Sequence, residues 1–256
     1  WMNRRHDSKR AKDAFRIIRE SGIENLSIDL IFGLSGMTEE SWRKTIYDAI
    51  HIGDDCGGKP QHISAYQLSI ESGSALEKMI ESGHYVEASE EECSRQYSIL
   101  CEMLSEYGYN HYEISNFAQA GYEAKHNSAY WKRVPYVGLG AGAHSFDGNL
   151  RRWNSELSGL NTEIVSYSSE VERLSESDVA IEKIMLSLRT SGGIESSWLR
   201  DNTKGEVVDR LLREGSLEEV QAAAVKMIRI PEDHFFVSDE IIRKKKKKML
   251  NFILIH

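Results

Sequence analysis

The sequence predicts an α/β protein in which helices alternate with parallel strands, followed by a smaller, mainly helical domain. Three observations support this class. A helix–strand–helix–strand pattern occupies residues 8–68, a polar stretch rich in Ser, Glu and Asn follows at 156–175, and two helical segments with a hairpin come after it. Alternating helices and strands indicate parallel βα units, because parallel neighbours need a crossover connection.

The first two helices are marked by residues that can cap them. Ser8 is expected to begin the first helix, and a β-rich run at 26–32 follows it. Thr38 is expected to cap the second helix, which extends to about Gly53 before the second strand at 63–68. We therefore expect two consecutive strands that run parallel.

A third strong helix is predicted after residue 88. Ser89 and Glu92 have the spacing of a capping box, and the following helix places Cys93, Tyr97 and Cys101 on one apolar face. Two of the three cysteines are therefore expected in the core. Together with Cys56 they match neither a disulfide framework nor a common metal knuckle, which favours a reducing, cytoplasmic location.

The second half of the chain changes character twice. Residues 109–153 are aromatic, glycine-rich and short of helical periodicity, which predicts short strands and functional loops. After the polar linker, helices are predicted at 178–190 and 206–214, and a hairpin is predicted from 225–230 and 235–238 around a turn at 231–233. Helix, helix and hairpin are typical of a small winged-helix module.

Charge and hydropathy argue against two classes of partner. The net charge is −8, and residues 175–242 carry 14 acidic against 8 basic side chains, so docking on a nucleic-acid backbone is disfavoured. No apolar run approaches the ~20 residues that a bilayer span needs. We expect neither nucleic acid nor a membrane span.

Two acidic residues stand within apolar strand-like runs. Asp29 either binds a ligand hydroxyl or cation at the end of a βα unit, or bonds loop amides as a structural residue. Glu113 is either a buried acid near a substrate or a partner of Arg151 or Arg152, and the structural pairing is favoured.

The glycines near residue 140 match a dinucleotide fingerprint by letter only. Gly138, Gly140 and Ala143 have the spacing G-x-G-x-x-A, but Pro135 precedes them and a turn sequence follows at 147–149. A Rossmann turn needs a strand before it and a helix after it. A close backbone approach to a ligand or cofactor is the better use of these glycines.

Six blocks resemble the oxygen-independent coproporphyrinogen III oxidase family of radical S-adenosylmethionine (SAM) proteins, in the same order and spacing. The blocks are 3–7, 29–34, 62–68, 112–118, 126–131 and 138–145. The resemblance implies the C-terminal part of a partial (βα)6 barrel and a small winged-helix-like domain. The expected divisions are a barrel part at 1–155, a linker at 156–175, the small domain at 176–243 and a basic and apolar tail at 244–256.

This resemblance implies a SAM site. Arg4 matches an arginine that contacts SAM and suits its carboxylate, and Asp29 matches an acceptor for the ribose hydroxyls. Ser69 and His144 match further SAM contacts. The family's three cluster cysteines, in a CxxxCxxC run, have no counterpart here, so we expect a 4Fe–4S cluster in the complete protein only and no metal site in this chain.

One loop departs from the family pattern. Members of the family usually have Pro and Gln where this chain has Ser35 and Met37. The rigidity of this loop, and any polar contact made from it, is therefore in question.

The segment at 126–131 resembles the heme-chaperone branch of the family rather than the true oxidases. It implies His126 as an axial heme ligand, with Tyr130 and Trp131 covering a porphyrin face, although a histidine in a loop can equally be structural. The expected function is heme binding and transfer to an unknown acceptor protein. The alternatives are a coproporphyrinogen III oxidase, so that enzyme status stays open, and a truncated inactive copy.

The end of the chain carries five consecutive lysines at 244–248, followed by an apolar stretch. Such a tail could contact acidic surfaces, stay solvated, or result from a reading-frame error at a lysine-coding repeat.

Overall fold

The structure, a computed structural model, describes residues 7–154, 169–238 and 241, and the chain divides into two units, Trp1–Glu123 and Ala124–His256. We expected the first domain to extend to residue 155. The first unit ends at Glu123, and the strand Leu150–Asn154 pairs with Ser169–Arg173, which lies inside the predicted linker. The predicted tail at 244–256 lies outside the described residues.

The first unit alternates helices and strands and ends in a hairpin. Its described elements are α1 (Ser8–Glu20), β1 (Ser27–Phe32), α2 (Glu39–Ile50), β2 (His62–Gln67), α3 (Ala75–Glu81), α4 (Glu90–Glu106), β3 (Asn110–Glu113) and β4 (Asn116–Ala118).

Capping residues decide where these helices begin. Thr38 caps α2, and Ser89 with Glu92 forms a capping box at α4, as predicted. At α1 the Asp7 carboxylate accepts a hydrogen bond from the Arg10 amide at 2.9 Å, so Asp7 is the N-cap and Ser8 is already helical. Aspartate caps a helix at least as well as serine, so the start of α1 moves by one residue.

The sheet of the first unit has the order β1-β2-β4-β3. β1 and β2 run parallel in register from Ser27–His62 to Phe32–Gln67, which confirms the predicted parallel pair. β4 pairs antiparallel with β2, and β3 pairs antiparallel with β4. The parallel part of the sheet is thus extended on one side by an antiparallel hairpin.

The two faces of this sheet differ in chemistry. Side chains alternate between the faces of a strand, so Leu30 and Phe32 share one face while Ser27 and Asp29 share the other. Leu30 and Phe32 are buried, and the Phe32 ring centroid lies 5.6 Å from that of Tyr97 on α4. Ser27 and Asp29 are exposed. One face therefore forms the core with the helices, and the other carries the polar residues Ser27 and Asp29.

The second unit combines a short helix, two three-stranded antiparallel sheets and further helices. No helix in the described part of the chain has both the length and the apolar composition to cross a bilayer. The sheet orders are β5-β6-β7 and β8-β10-β9. The described elements are α5 (Lys125–Trp131), β5 (His144–Phe146), β6 (Leu150–Asn154), β7 (Ser169–Arg173), α6 (Glu176–Ser187), β8 (Ile194–Glu195), α7 (Ser196–Asp201), α8 (Gly205–Arg213), β9 (Glu218–Ala222), β10 (Val225–Arg229) and a 3-10 helix (Glu232–Val237).

The predicted C-terminal hairpin is corrected by the structure. β10 pairs with β9, which precedes it, and not with 235–238, which lies largely in the 3-10 helix. Pro231 is the N-cap of that helix rather than part of a hairpin turn. β9 escaped prediction because Glu218–Ala222 contains only one β-branched residue, Val220, and strand propensity is a weak guide when packing decides.

The turn between β9 and β10 contains an alanine in a strained backbone conformation. Ala223 has a φ of 49°, in the left-handed region where an alanine side chain is disfavoured. We expect Ala223→Gly to raise the free energy of unfolding by about 1 kcal/mol, because glycine adopts this conformation without the steric cost. Chemical denaturation of both proteins measures the difference, with Ala224→Gly as control. Destabilisation by Ala223→Gly would contradict the expectation.

Candidate functional site

A row of polar residues crosses the sheet of the first unit on the face opposite the helices. The register pairs Asp29 with Ser64, Ser64 with Asn116, and Asn116 with Glu113. Residues paired in register lie on the same face, about 4.8 Å apart per strand. The row therefore has a carboxylate at each end, with a hydroxyl and an amide between them.

Asp29 lies at the open end of this row. Although Asp29 stands within an apolar run, the strand alternates and the Asp29 side chain points away from the helices, where it is exposed. An exposed carboxylate retains its solvation and can accept hydrogen bonds from ligand hydroxyls. This geometry suits the ligand alternative better than the structural one.

A buried histidine, His62 of β2, links its strand to β1 and β3 near Asp29. The His62 ring bonds the Ser27 hydroxyl through Nδ1 at 2.7 Å and the Tyr112 hydroxyl through Nε2 at 2.8 Å. Burial lowers the pKa of His62, and the Asp29 carboxylate opposes this effect. His62 was not predicted as a site residue; its position at the first residue of a strand, with Ser64 alternating behind it, was the available signal.

Glu113 and Asn116 occupy the covered end of the row. The Asn116 amide donates to the Glu113 carboxylate, and the Ser115 amide donates to it at 3.5 Å. Of the two predicted partners of Glu113, Arg151 pairs instead with Glu172 and Glu182 of the second unit, and a pair with Arg152 stays a prediction. The tight β3–β4 connection brings Asn116 directly opposite Glu113.

The loop that follows β1 is held by a buried glutamine of α4. Gln96 accepts a hydrogen bond from the Gly33 amide at 2.7 Å and donates to the Leu34 carbonyl at 3.1 Å. The Ser35 amide donates to the Tyr85 hydroxyl at 3.2 Å. The loop therefore has side-chain anchors at the place where it departs from the family pattern. Sequence reasoning missed Gln96, although a polar residue on the apolar face of α4 was a usable signal.

Three further SAM contacts were predicted, and their roles stay predictions. Arg4 lies outside them. Ser69 is exposed after β2 and its hydroxyl bonds Glu71 at 3.0 Å. His144 begins β5 of the second unit and stacks on Trp153 with ring centroids 6.0 Å apart. Asp29 and Ser69 thus share the first unit, and His144 belongs to the second.

The glycine-rich segment approaches its own chain. A Cβ atom on Gly138 would lie 2.0 Å from the His144 carbonyl oxygen, and the Gly138 amide donates to the Ser145 hydroxyl at 3.0 Å. We expected the glycines to admit a ligand or cofactor. For Gly138 the expectation is corrected, because only glycine fits where this segment runs beside β5.

The heme-chaperone segment forms helix α5 rather than a loop. His126 and Tyr130 are one turn apart and both exposed, with ring centroids separated by 4.8 Å in an edge-to-face contact. Tyr130 continues to Tyr136 at 4.9 Å, and Tyr136 to Phe146 at 6.1 Å. A chain of aromatic rings therefore supports an accessible imidazole, while Trp131 is half-buried at the end of the helix.

The three cysteines do not form a cluster site. Cys93 is buried and Cys101 half-buried on α4, Cys56 lies in the loop after α2, and none of the three forms a disulfide. Within residues 7–154, 169–238 and 241, no group of three His, Cys, Asp or Glu side chains could hold a metal ion. The residues present do not fit a 4Fe–4S cluster, which needs several thiolates around one position.

Comparison with known proteins finds similarity to curated heme chaperones. No protein-family model matches the chain. It is 35% identical over 153 residues to the heme chaperone HemW of Bacillus subtilis, covering 60% of this chain and 39% of that protein. It is 33% identical over 197 residues to the heme chaperone HemW of Synechocystis, covering 74% and 46%.

The fold has a solved counterpart. The chain matches coproporphyrinogen III oxidase (HemN) of Escherichia coli, described as a radical SAM enzyme, with a TM-score of 0.65 and 15% identity, covering 94% of this chain and 59% of that one. The chain spans about half the length of the curated relatives it matches. By these comparisons the chain is similar to heme chaperones of the HemW kind and shares the fold of a radical SAM enzyme.

Proposed function

We propose that the chain is part of a radical SAM heme chaperone, which binds heme and passes it to an acceptor protein. The observation that carries the proposal is its similarity to curated heme chaperones, at 33% identity over 74% of the chain in one case. Because the chain spans about half of that relative, the activity of the whole protein is part of the proposal.

The proposed heme ligand is His126. An imidazole nitrogen is a common axial ligand of heme iron, and the His126 side chain is exposed at the surface of α5. Tyr130 and Trp131 on the same helix offer aromatic surface to a porphyrin. The loop that follows adds apolar surface, since Val137 and Leu139 are 80% and 89% exposed.

A SAM site is proposed around Asp29. The exposed carboxylate would accept hydrogen bonds from the ribose hydroxyls, and Arg4, Ser69 and His144 are the further contacts that the family resemblance implies. SAM, when bound to a cluster in this family, supplies the adenosyl group. The cluster belongs to the complete protein in this proposal, because the cysteines of this chain do not fit it.

The architecture of the complete protein is also a proposal. The parallel strands β1 and β2 are the end of a partial (βα)6 barrel, and the order α6-β8-α7-α8-β9-β10 corresponds to a winged helix. Residues 175–242 contain 14 acidic and 8 basic residues. This acidic balance favours a protein-binding or structural role of the module over nucleic-acid binding. The free thiols favour the cytoplasm.

Hemin titration of the 256-residue chain tests the function. We expect a Soret shift on binding. For His126→Ala we expect a dissociation constant at least tenfold larger, because the axial nitrogen is lost. His84→Ala, an exposed histidine of the first unit, is the matched control and should bind as the parent chain does.

Two results would count against the chaperone. Equal binding by His126→Ala and the parent chain would remove His126 as the ligand. Conversion of coproporphyrinogen III to a vinyl product by the full-length protein, with SAM and reductant, would favour the oxidase.

A further inference from the structure

Helix α5, which carries His126, has little stability of its own. It has seven residues, and Ala124 at its N-cap makes no side-chain capping bond among the described residues. Isolated helices shorter than about 12 residues are marginal in water. The orientation of His126 and Tyr130 must therefore depend on contacts that hold α5 from outside.

The C-terminal end of α5 is closed by an unusual residue. The Val134 amide donates to the Ala129 carbonyl at 2.9 Å, and the Arg133 amide donates to the Tyr130 carbonyl at 3.0 Å. These two bonds form a Schellman motif, in which glycine commonly occupies the left-handed position. Here Arg133 holds it, with a φ of 54°. A strained arginine at a site that favours glycine points to compensating side-chain contacts.

The Arg133 guanidinium makes contacts of three kinds. It pairs with Glu182 of α6, with nitrogen–oxygen distances of 3.0 and 3.2 Å, and donates to the Gly148 carbonyl at 3.1 Å. It also lies 5.0 Å from the centroid of the Phe146 ring. Only 13% of the Arg133 side chain is exposed, so these contacts are shielded from solvent.

Glu182 connects this contact to the sheet of the same unit. Its second carboxylate oxygen accepts from Arg151 of β6, whose guanidinium lies 5.9 Å from the Phe146 ring centroid. Phe146 in turn contacts Tyr136, which contacts Tyr130 of α5. The ionic and the aromatic contacts thus join α5, β5, β6 and α6 into one supported group.

We propose that Arg133 is a positioning residue that locks α5, and with it His126, onto α6 through Glu182. The lock itself follows from the contacts of Arg133, whereas its use in presenting a heme ligand rests on the proposed function. Arg133 does not need to touch heme to act in this way. Removing the Arg133 side chain should loosen α5, even when the replacing residue suits the left-handed position at the end of the helix.

Arg133→Gly distinguishes the contribution of the Arg133 side chain from that of its backbone conformation. Glycine suits the Schellman position, so the turn can persist while the contacts to Glu182, Gly148 and Phe146 are lost. We expect hydrogen exchange of the α5 amides to accelerate about tenfold without hemin, because a local opening becomes easier. Arg200→Ala, which removes the exposed pair with Asp209 in the same unit, should leave α5 unchanged. Unchanged exchange in Arg133→Gly would overturn the lock.

Glu182→Gln provides a second variant and a second measurement. It should reproduce the faster exchange of α5 and should weaken hemin binding about tenfold, with a broadened Soret band from variable ligation. The comparison of α5 hydrogen exchange between the parent chain and the two variants, made without hemin, tests the lock alone. If the parent chain and His126→Ala bind hemin equally, His126 is not the heme ligand, while the exchange result stands. If exchange accelerates but hemin binding by both variants stays at the parent value, the role of the lock in heme presentation is overturned.

Discussion

Replacing Gln96 by alanine should lower the free energy of unfolding by about 3 kcal/mol, because it leaves buried backbone groups without hydrogen bonds. Gln96 is 5% exposed, and its side chain accepts from the Gly33 amide and donates to the Leu34 carbonyl. Its own carbonyl accepts from the Trp42 indole at 2.7 Å, which fixes α4 against α2. The substitution also removes the support of the loop after the Asp29 strand.

Urea denaturation measures this effect. Ser98→Ala, an exposed change on the same helix whose hydroxyl bonds the Ser94 carbonyl, is the control and should stay within about 0.5 kcal/mol of the parent chain. A Gln96→Ala variant as stable as the control would show that the loop amide and carbonyl find other partners. The proposed binding of SAM at Asp29 should weaken in the same variant.

Acidification should destabilise the first unit through His111, by about 3 kcal/mol in total. Burial lowers the pKa of His111 from 6.5 to about 4. Its ring stacks on Phe117 with centroids 4.1 Å apart, and Nε2 lies 3.2 Å from the Tyr97 hydroxyl. Below pH 6.5 the unfolded chain binds a proton that the folded chain excludes. The stabilisation is therefore complete above pH 6.5 and is lost as the pH falls towards 4.

Comparison with His111→Gln isolates this contribution. Glutamine does not titrate, so the fall in unfolding free energy between pH 7 and 4.5 should be smaller in the variant by about 2 to 3 kcal/mol. His84→Ala should keep the slope of the parent chain, because His84 is exposed. Equal slopes for the parent chain and His111→Gln would contradict the assignment. Burial shifts the pKa of His62 in the same direction, so part of the acid sensitivity should remain in the variant.

Elements with local signals were predicted well. The capping box at Ser89 and the cap at Thr38 are formed by hydrogen bonds within one helical turn, so the residues that make them can be read in sequence. The parallel pairing of β1 and β2 followed from the helix between them. Helix α5 and strand β9 were missed, because α5 lacks a capping side chain and β9 is charged, and both are stabilised by distant contacts.

The candidate site was predictable only in part. His126 and Tyr130 were named from the family resemblance, and their helical spacing places the rings 4.8 Å apart. Arg133 carried no sequence signal, since its importance depends on a backbone angle and on Glu182, 49 positions away. Asp29 stays a candidate, and its exposure was not predictable, because composition shows an apolar run and not which face each side chain takes.

The sequence by itself determined the class of the protein, the starts of α2 and α4, the parallel strand pair and the residues that resemble a SAM and heme protein. These features depend on neighbours a few residues apart or on matching motifs. The tertiary structure alone decided that Asp29 is exposed, that Gly138 fits against its own chain, and that Glu182 joins Arg133 to Arg151. Such contacts join residues far apart in the chain, and they form only where packing brings opposite charges and close backbones together.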